Sequence, residues 1–290
     1  MAQPSDTSGS STPHQDRAPT ARLEMTGINV AFGGVQALTD VSLTVEPGQV
    51  HGLIGPNGAG KTTMFNVACG LVRPTAGRIV WRGQELRRLR PAQLAGLGIA
   101  RTLQGVGLFA GLTVLENVMV GAHRHARAGF LSALFAIPTS DADDARLRER
   151  AMTALGELDA DGYATRYPGS LPYPVQKRVA LARALVSEPE LLLLDEPASG
   201  LSEDEMQELG ELIGHLSGRM SVLLVEHHMD LVMRVCDHIT VLDSGRQIAD
   251  GTPRQVQDDP AVTEAYLGDA VDDTTDVSEL AATDAGSPRG

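Results

Sequence analysis

The sequence predicts an α/β fold: a mainly parallel sheet covered on both faces, with a smaller antiparallel β-layer attached. Three observations predict it. Hydrophobic periodicity switches repeatedly between the strand and helix repeats along residues 23–268. Two short apolar runs, Leu191–Leu194 and Val222–Val225, do not alternate, as expected of strands buried on both faces. Those runs are separated by helical stretches, the pattern of βαβ units.

Each element has its own local reason. Leu23–Phe32 and Val41–Glu46 alternate like half-buried strands, and Val50–Ile54 is an apolar run entering a Gly-rich turn. Lys61–Leu71 follows with helical spacing, and Arg78–Trp81 is another strand. A charged helix fits Asp141–Leu158, and helices also fit Gln176–Val186 and Glu203–Leu216. Ser202 with Glu205 reads as a capping box. Thr252-Pro253 followed by Gln255, and Asp259-Pro260, are capped helix starts with proline at the first helical position.

Composition bounds the function. The 290 residues carry 24 Lys+Arg against 37 Asp+Glu, a formal net charge of −13, which argues against a general phosphate-backbone binder. No apolar run approaches the ~18 residues needed to span a bilayer, and the first residues lack the apolar segment of a secretory signal. Cys69 and Cys236 cannot make a disulfide framework, and no CxxC suggests zinc. The expectation is a soluble, acidic, cytosolic protein. Residues 1–22 are rich in Ser, Thr, Pro and Gln, and 269–290 carry six acids against Arg289, so both are expected to be disordered tails around one unit at 23–268.

Chemistry enters at Gly55-Pro56-Asn57-Gly58-Ala59-Gly60-Lys61-Thr62-Thr63, a phosphate-binding loop between an expected strand and an expected helix. Glycines let successive backbone N–H groups turn inward around a polyphosphate at the positive end of a helix. Lys61 supplies a point charge for the β/γ-phosphates, and the Thr62 hydroxyl can ligate Mg²⁺. A plain Gly-rich turn does not explain Lys61. The run Leu191–Leu194 ends in Asp195-Glu196-Pro197, which puts two carboxylates at the C-terminal end of a strand, where α/β sheets bind ligands. Asp195 is expected to hold the magnesium ion through its water shell and Glu196 to polarise the attacking water.

Together these motifs resemble the nucleotide-binding subunits of ABC transporters, and the resemblance covers 23–268. It implies a P-loop NTPase with a RecA-like parallel-sheet core, an antiparallel β-subdomain and a helical signature subdomain at about 105–175. It implies ATP and Mg²⁺ as ligands. His227, after the strand Val222–Val225, matches the family's switch histidine, placed to hydrogen-bond the γ-phosphate. Gln104 matches the glutamine that reaches Mg²⁺ and water and links the site to the membrane partner. Phe32 falls where the family stacks an aromatic on adenine. Phe32-Gly33-Gly34, Arg101–Gln104, the insert 123–138 and Ala265–Gly268 resemble one group, the ATPases of importers for branched-chain amino acids and related polar solutes. His123 and His125 in the insert have nothing to complete a metal shell. Arg82, Arg87, Arg88 and Arg90 read as a solvated basic face.

One segment departs from the family. Its signature, ideally Leu-Ser-Gly-Gly-Gln, stands here as Leu171-Pro172-Tyr173-Pro174-Val175. In the family this segment reaches across a dimer to the partner's ATP. Pro172 has no hydroxyl, Pro174 has no N–H, and Tyr173 adds bulk. The expectation is therefore a heterodimer in which this chain's own ATP is hydrolysed while the partner's is served poorly. Transmembrane permeases, a second ABC ATPase and, indirectly, a solute-binding protein are the implied partners at the cytoplasmic face of the membrane. The alternatives are an exporter ATPase of the lipopolysaccharide-transport type and a regulatory subunit with weak hydrolysis. DNA-repair ATPases need a long coiled coil and translation ATPases two phosphate loops; neither feature is present.

Overall fold

The computed structural model describes residues 21–102, 105–122 and 141–266, with the side chains of 141–143 left aside. Residues 1–20 and 267–290, the insert 123–138 with its two histidines, and Gln104 lie outside the described residues.

Two sheets form. β1 (Leu23–Phe32), β2 (Val35–Val45), β4 (Ala76–Trp81) and β5 (Gln84–Glu85) make an antiparallel sheet in the order β2-β1-β4-β5. The second sheet has the order β10-β9-β3-β8-β7-β6, from β3 (Val50–Ile54), β6 (Ile99–Arg101), β7 (Leu191–Asp195), β8 (Ser221–Val225), β9 (His238–Asp243) and β10 (Arg246–Gly251). Its pairs are parallel except β9–β10. The helices are α1 (Lys61–Ala68), α2 (Leu94–Leu97), α3 (Val114–Gly121), α4 (Asp141–Gly156), α5 (Tyr173–Leu185), α6 (Glu203–Ser217), α7 (Met229–Val235) and α8 (Pro253–Gln257).

Alternation decides what each face of the parallel sheet meets. Leu192, Leu194, Val222 and Leu224 pack with residues of α3 to α7, while Leu191, Leu193, Leu223 and Val225 pack with α1 and the antiparallel sheet. All eight are at most 1% exposed, so the strands can be apolar throughout, each buried side chain contributing ~1.5–3 kcal/mol. The result is three layers, as the sequence predicts. Ala21 and Arg22, expected in the N-terminal tail, join the folded unit: Ala21 is buried, and Arg22 pairs with Glu24 and Glu46.

Several boundaries differ from expectation for identifiable reasons. α5 starts at Tyr173 rather than Gln176, because Pro172 as N-cap and a proline in the first turn give up only N–H groups that a helix leaves unpaired there. β6 is three residues long and is read from its pairing with Leu191–Leu193, not from its own composition. The capping boxes at Ser202–Glu205 and Thr252–Gln255 form as expected, and Asp259 Oδ1 accepts the Ala261 N–H at the start of the helical stretch 260–266. Among the described residues no helix is long and apolar enough to cross a membrane.

Candidate functional site

The sheet order brings the motif-bearing loops together. β3, β8, β7 and β6 are consecutive neighbours, with Leu53 opposite Val225, Val225 opposite Asp195, and Arg101 opposite Leu193. The loop 55–60, the pair Glu226-His227, the pair Asp195-Glu196 and Thr102 therefore all leave the carboxyl edge of one sheet, the edge where such folds bind ligands.

The loop 55–60 needs two of its glycines for stated reasons. Gly55 has φ +148°, and a Cβ there would stand 2.0 Å from the Leu242 carbonyl oxygen; Gly60 has φ +100°, and a Cβ would meet Leu38 at 2.8 Å. The Ala59 N–H donates to the Pro56 carbonyl at 3.2 Å, which tightens the turn, and α1 begins at Lys61. Lys61 is buried, and its Nζ donates to the carbonyls of Gly55 at 2.6 Å and Pro56 at 2.7 Å. Its charge is thus held over the loop at the positive end of α1. Thr62 is exposed and Thr63 half-buried, while Asn57 and Gly58 form the exposed crest. The antiparallel sheet leans on this loop: Ala59 accepts from Gly245, and Gly245 accepts from Thr39 on β2. Phe32, 52% exposed, closes the hairpin of that same strand, opposite Val35.

Three carboxylates crowd the neighbouring strand ends. Burial pushes the Asp195 carboxyl above its ordinary range, and the charges of Glu196 and Glu226 push it further, against the pull of Arg101. The Asp195 N–H faces the Thr102 hydroxyl at 3.5 Å. Glu196 sits in the left-handed region at φ +46°, an uncommon conformation for a glutamate that the Glu196 N–H bond to the Val225 carbonyl helps to hold. The acid cluster lies beside the Thr102 hydroxyl; carboxylate and hydroxyl oxygens such as those of Asp195 and Thr62 are donors of the kind a hard divalent cation such as magnesium takes.

Glu226 is the residue that sequence reasoning passed over. Its side chain is wholly buried, and its Oε1 accepts the Ala198 N–H at 2.7 Å. Oε2 accepts the N–H groups of His227 at 2.9 Å and His228 at 3.2 Å and contacts His228 Nδ1 at 3.0 Å. Burial alone would raise its carboxyl, but these hydrogen bonds outweigh burial and hold it below the ordinary range. His227 is half-exposed beside it, its ring 4.1 Å from that of His228. A charged residue directly after four apolar ones was the available signal.

Residues 38–199 match the ABC transporter family, and 246–272 match the branched-chain amino acid ATP-binding cassette transporter family. The chain belongs to the ABC transporter family. BraF, a high-affinity branched-chain amino acid transport ATP-binding protein of Pseudomonas aeruginosa, is 43% identical over 86% of this chain and 98% of its own length. The crystal structure of MJ1267, an ATP-binding cassette of an ABC transporter, in its ADP conformation, superposes with a TM-score of 0.73 at 31% identity, covering 86% of this chain and 99% of that one. The dimeric structure of the cassette MJ0796 bound to ADP and Pi gives 0.67 at 25% identity, over 80% and 99%. The protein is thus an ATP-binding subunit of ABC type, an ATPase, with the P-loop fold predicted from its motifs.

In this ABC subunit the segment 171–175 runs into the first turn of α5. Leu171 is buried in the core, and Pro172 caps α5 without a side-chain bond. Tyr173 and Pro174 line a cavity of about 600 Å³ together with Asp195, Glu196 and Leu212, and no residue of the loop 55–63 lines it. The Tyr173 ring, 40% exposed, lies so close to Gly200 that a Cβ there would stand 3.2 Å from it.

Proposed function

We propose that this chain is the ATP-hydrolysing motor of an importer for branched-chain amino acids or related polar solutes, bound to its permeases at the cytoplasmic face of the membrane. The observation that carries this reading is its near full-length similarity to BraF. Its residues take the following parts. The N–H groups of the loop 55–60 and the Lys61 ammonium receive the β- and γ-phosphates, the ammonium exchanging backbone carbonyls for phosphate oxygens. Phe32 offers a ring face to adenine. Thr62, Asp195 and Gln104 would hold Mg²⁺, which would supply charge neutralisation across the phosphates. Glu196 accepts the proton of the attacking water, and His227 hydrogen-bonds the γ-phosphate and registers its departure.

The altered signature supports an asymmetric role. A segment with no serine hydroxyl and, at Pro174, no N–H would serve a partner's nucleotide badly, whereas this chain keeps Lys61, Asp195, Glu196 and His227. The reading is a heterodimer with a second ABC ATPase that supplies a sound signature to this site. The test is reconstitution of the chain with two permeases, a second ATPase and a solute-binding protein in vesicles. ATP turnover should rise when leucine-loaded binding protein is added, with leucine accumulating inside. Turnover indifferent to every branched-chain amino acid and related polar solute would reject the reading.

A further inference from the structure

The loop after Glu196 is gripped by two charged side chains to which neither the phosphate loop nor the signature reading gives a role. On α5, Lys177 Nζ donates to the carbonyls of Pro197 at 2.6 Å and Ser199 at 2.5 Å. The same ammonium stands 5.2 Å from the Tyr173 ring centroid. Beyond β8, Glu226 Oε1 accepts the N–H between those carbonyls, that of Ala198, at 2.7 Å. Three successive residues, Pro197, Ala198 and Ser199, are thus held by one cation and one anion from different elements. The loop also closes on itself, the Ser199 N–H donating to the Glu196 carbonyl at 3.2 Å.

We propose that Lys177 and Glu226 are positioning residues that clamp the loop 197–199, fix the Glu196 carboxylate and the His227 backbone relative to each other, and tie both to the start of α5. Glu196 occupies a left-handed backbone conformation that a free chain leaves readily. Its neighbours on the C-terminal side must therefore be over-determined, and the clamp supplies that. Glu226 reaches His227 through the adjacent N–H, so one carboxylate aligns both sides of the reacting centre. Burial lowers the Lys177 ammonium, and the charges of Glu226 and Glu196 oppose that, so the cation also balances the acid cluster. Through Tyr173 and Lys177, a shift of the signature end of α5 is transmitted to the loop that carries this chain's own catalytic carboxylate.

This inference rests on the reading of Glu196 as the catalytic base, and the experiment separates the two. The full chain, assembled with its transporter partners, is compared with Lys177→Met, Lys177→Arg, Glu226→Gln and the Lys177→Met/Glu226→Gln pair. Turnover, KM for ATP, melting temperature and amide hydrogen exchange of residues 197–201 are measured on each. Small misplacements of a reacting group cost ~10²-fold in rate, so kcat should fall by about that factor in Lys177→Met and Glu226→Gln. KM and melting temperature should stay near the parent, exchange of 197–201 should quicken, and Lys177→Arg should restore most of the rate. The double variant should fall no further than the worse single one, since both act on one loop. Unchanged kcat, or a lost kcat with unchanged exchange at 197–201, overturns the clamp. If Glu226→Gln fails to fold, the Lys177 pair decides. Glu196→Gln in the same assay reports on the catalytic reading alone, and the exchange arm tests the clamp even where no turnover is seen.

Discussion

Glu196→Gln is expected to abolish most ATP turnover at this chain's site, by ~10²–10⁴-fold, the usual contribution of a positioned general base. The amide keeps the size of the carboxylate and removes its capacity to take a proton. It also removes one of the charges that raise the Asp195 carboxyl, so folding should not suffer. ATP affinity should persist, because in the proposed reading the phosphates are met by the loop 55–60 and Lys61. A loss in kcat with KM preserved is the signature of a group acting in the transition state alone. Steady-state turnover and single-turnover burst measurements on the assembled complex read both quantities. A variant that turns over like its parent would remove Glu196 from the chemistry.

Pro172→Ser with Pro174→Gly is expected to produce a large gain, and at the other nucleotide. The two substitutions return a hydroxyl and an N–H to the segment proposed to face a partner's ATP. At ~1.5–3 kcal/mol for each charge-assisted hydrogen bond, realised in the transition state, the partner site should quicken by ~10²–10⁴-fold. The measurement isolates that site by placing both changes in a chain that also carries Glu196→Gln. The fold should tolerate them. Pro172 is the N-cap of α5, where serine is favoured, and glycine in a first turn costs at most about 1 kcal/mol. An isolated partner site whose rate does not move would mean that the segment is not what limits it. Tyr173 is left in place because its ring already packs on Gly200 and Lys177.

How much of this was legible beforehand follows from how local each determinant is. The turn 55–60 is written in consecutive residues whose conformations and donors are needed together, so its strand, loop and helix read correctly. Leu191–Leu194 and Val222–Val225 were legible because burial on both faces imposes an unbroken apolar run. The early hairpin strands were legible because a half-buried sheet alternates. β6 was not, since Ile99–Arg101 is too short to show a period and exists through its pairing with β7. His238–Asp243 and Arg246–Gly251 were unread because they border a turn with no motif to draw the eye. The helical spacing is regular only from Gln176, whereas α5 begins at Tyr173, because the first turn accepts Pro172 and Pro174 without loss of a paired N–H. The clamp lay out of reach: Lys177, Ala198 and Glu226 are far apart in sequence, and only the order β8-β7 with α5 above it brings their charges onto one loop.

The account stands most squarely on the binding of a nucleoside triphosphate by the loop ahead of α1. Equilibrium binding of a labelled ATP to the purified chain, with magnesium in excess, tests this with the fewest assumptions about partners. Lys61 contributes a buried ammonium held over the loop by two carbonyls, so Lys61→Ala removes that positive charge while leaving the loop's own N–H groups in the sequence. Saturable binding by the parent, strongly weakened in Lys61→Ala and restored in neither sodium nor higher magnesium, is the predicted result. Binding of equal strength in both chains would contradict the account.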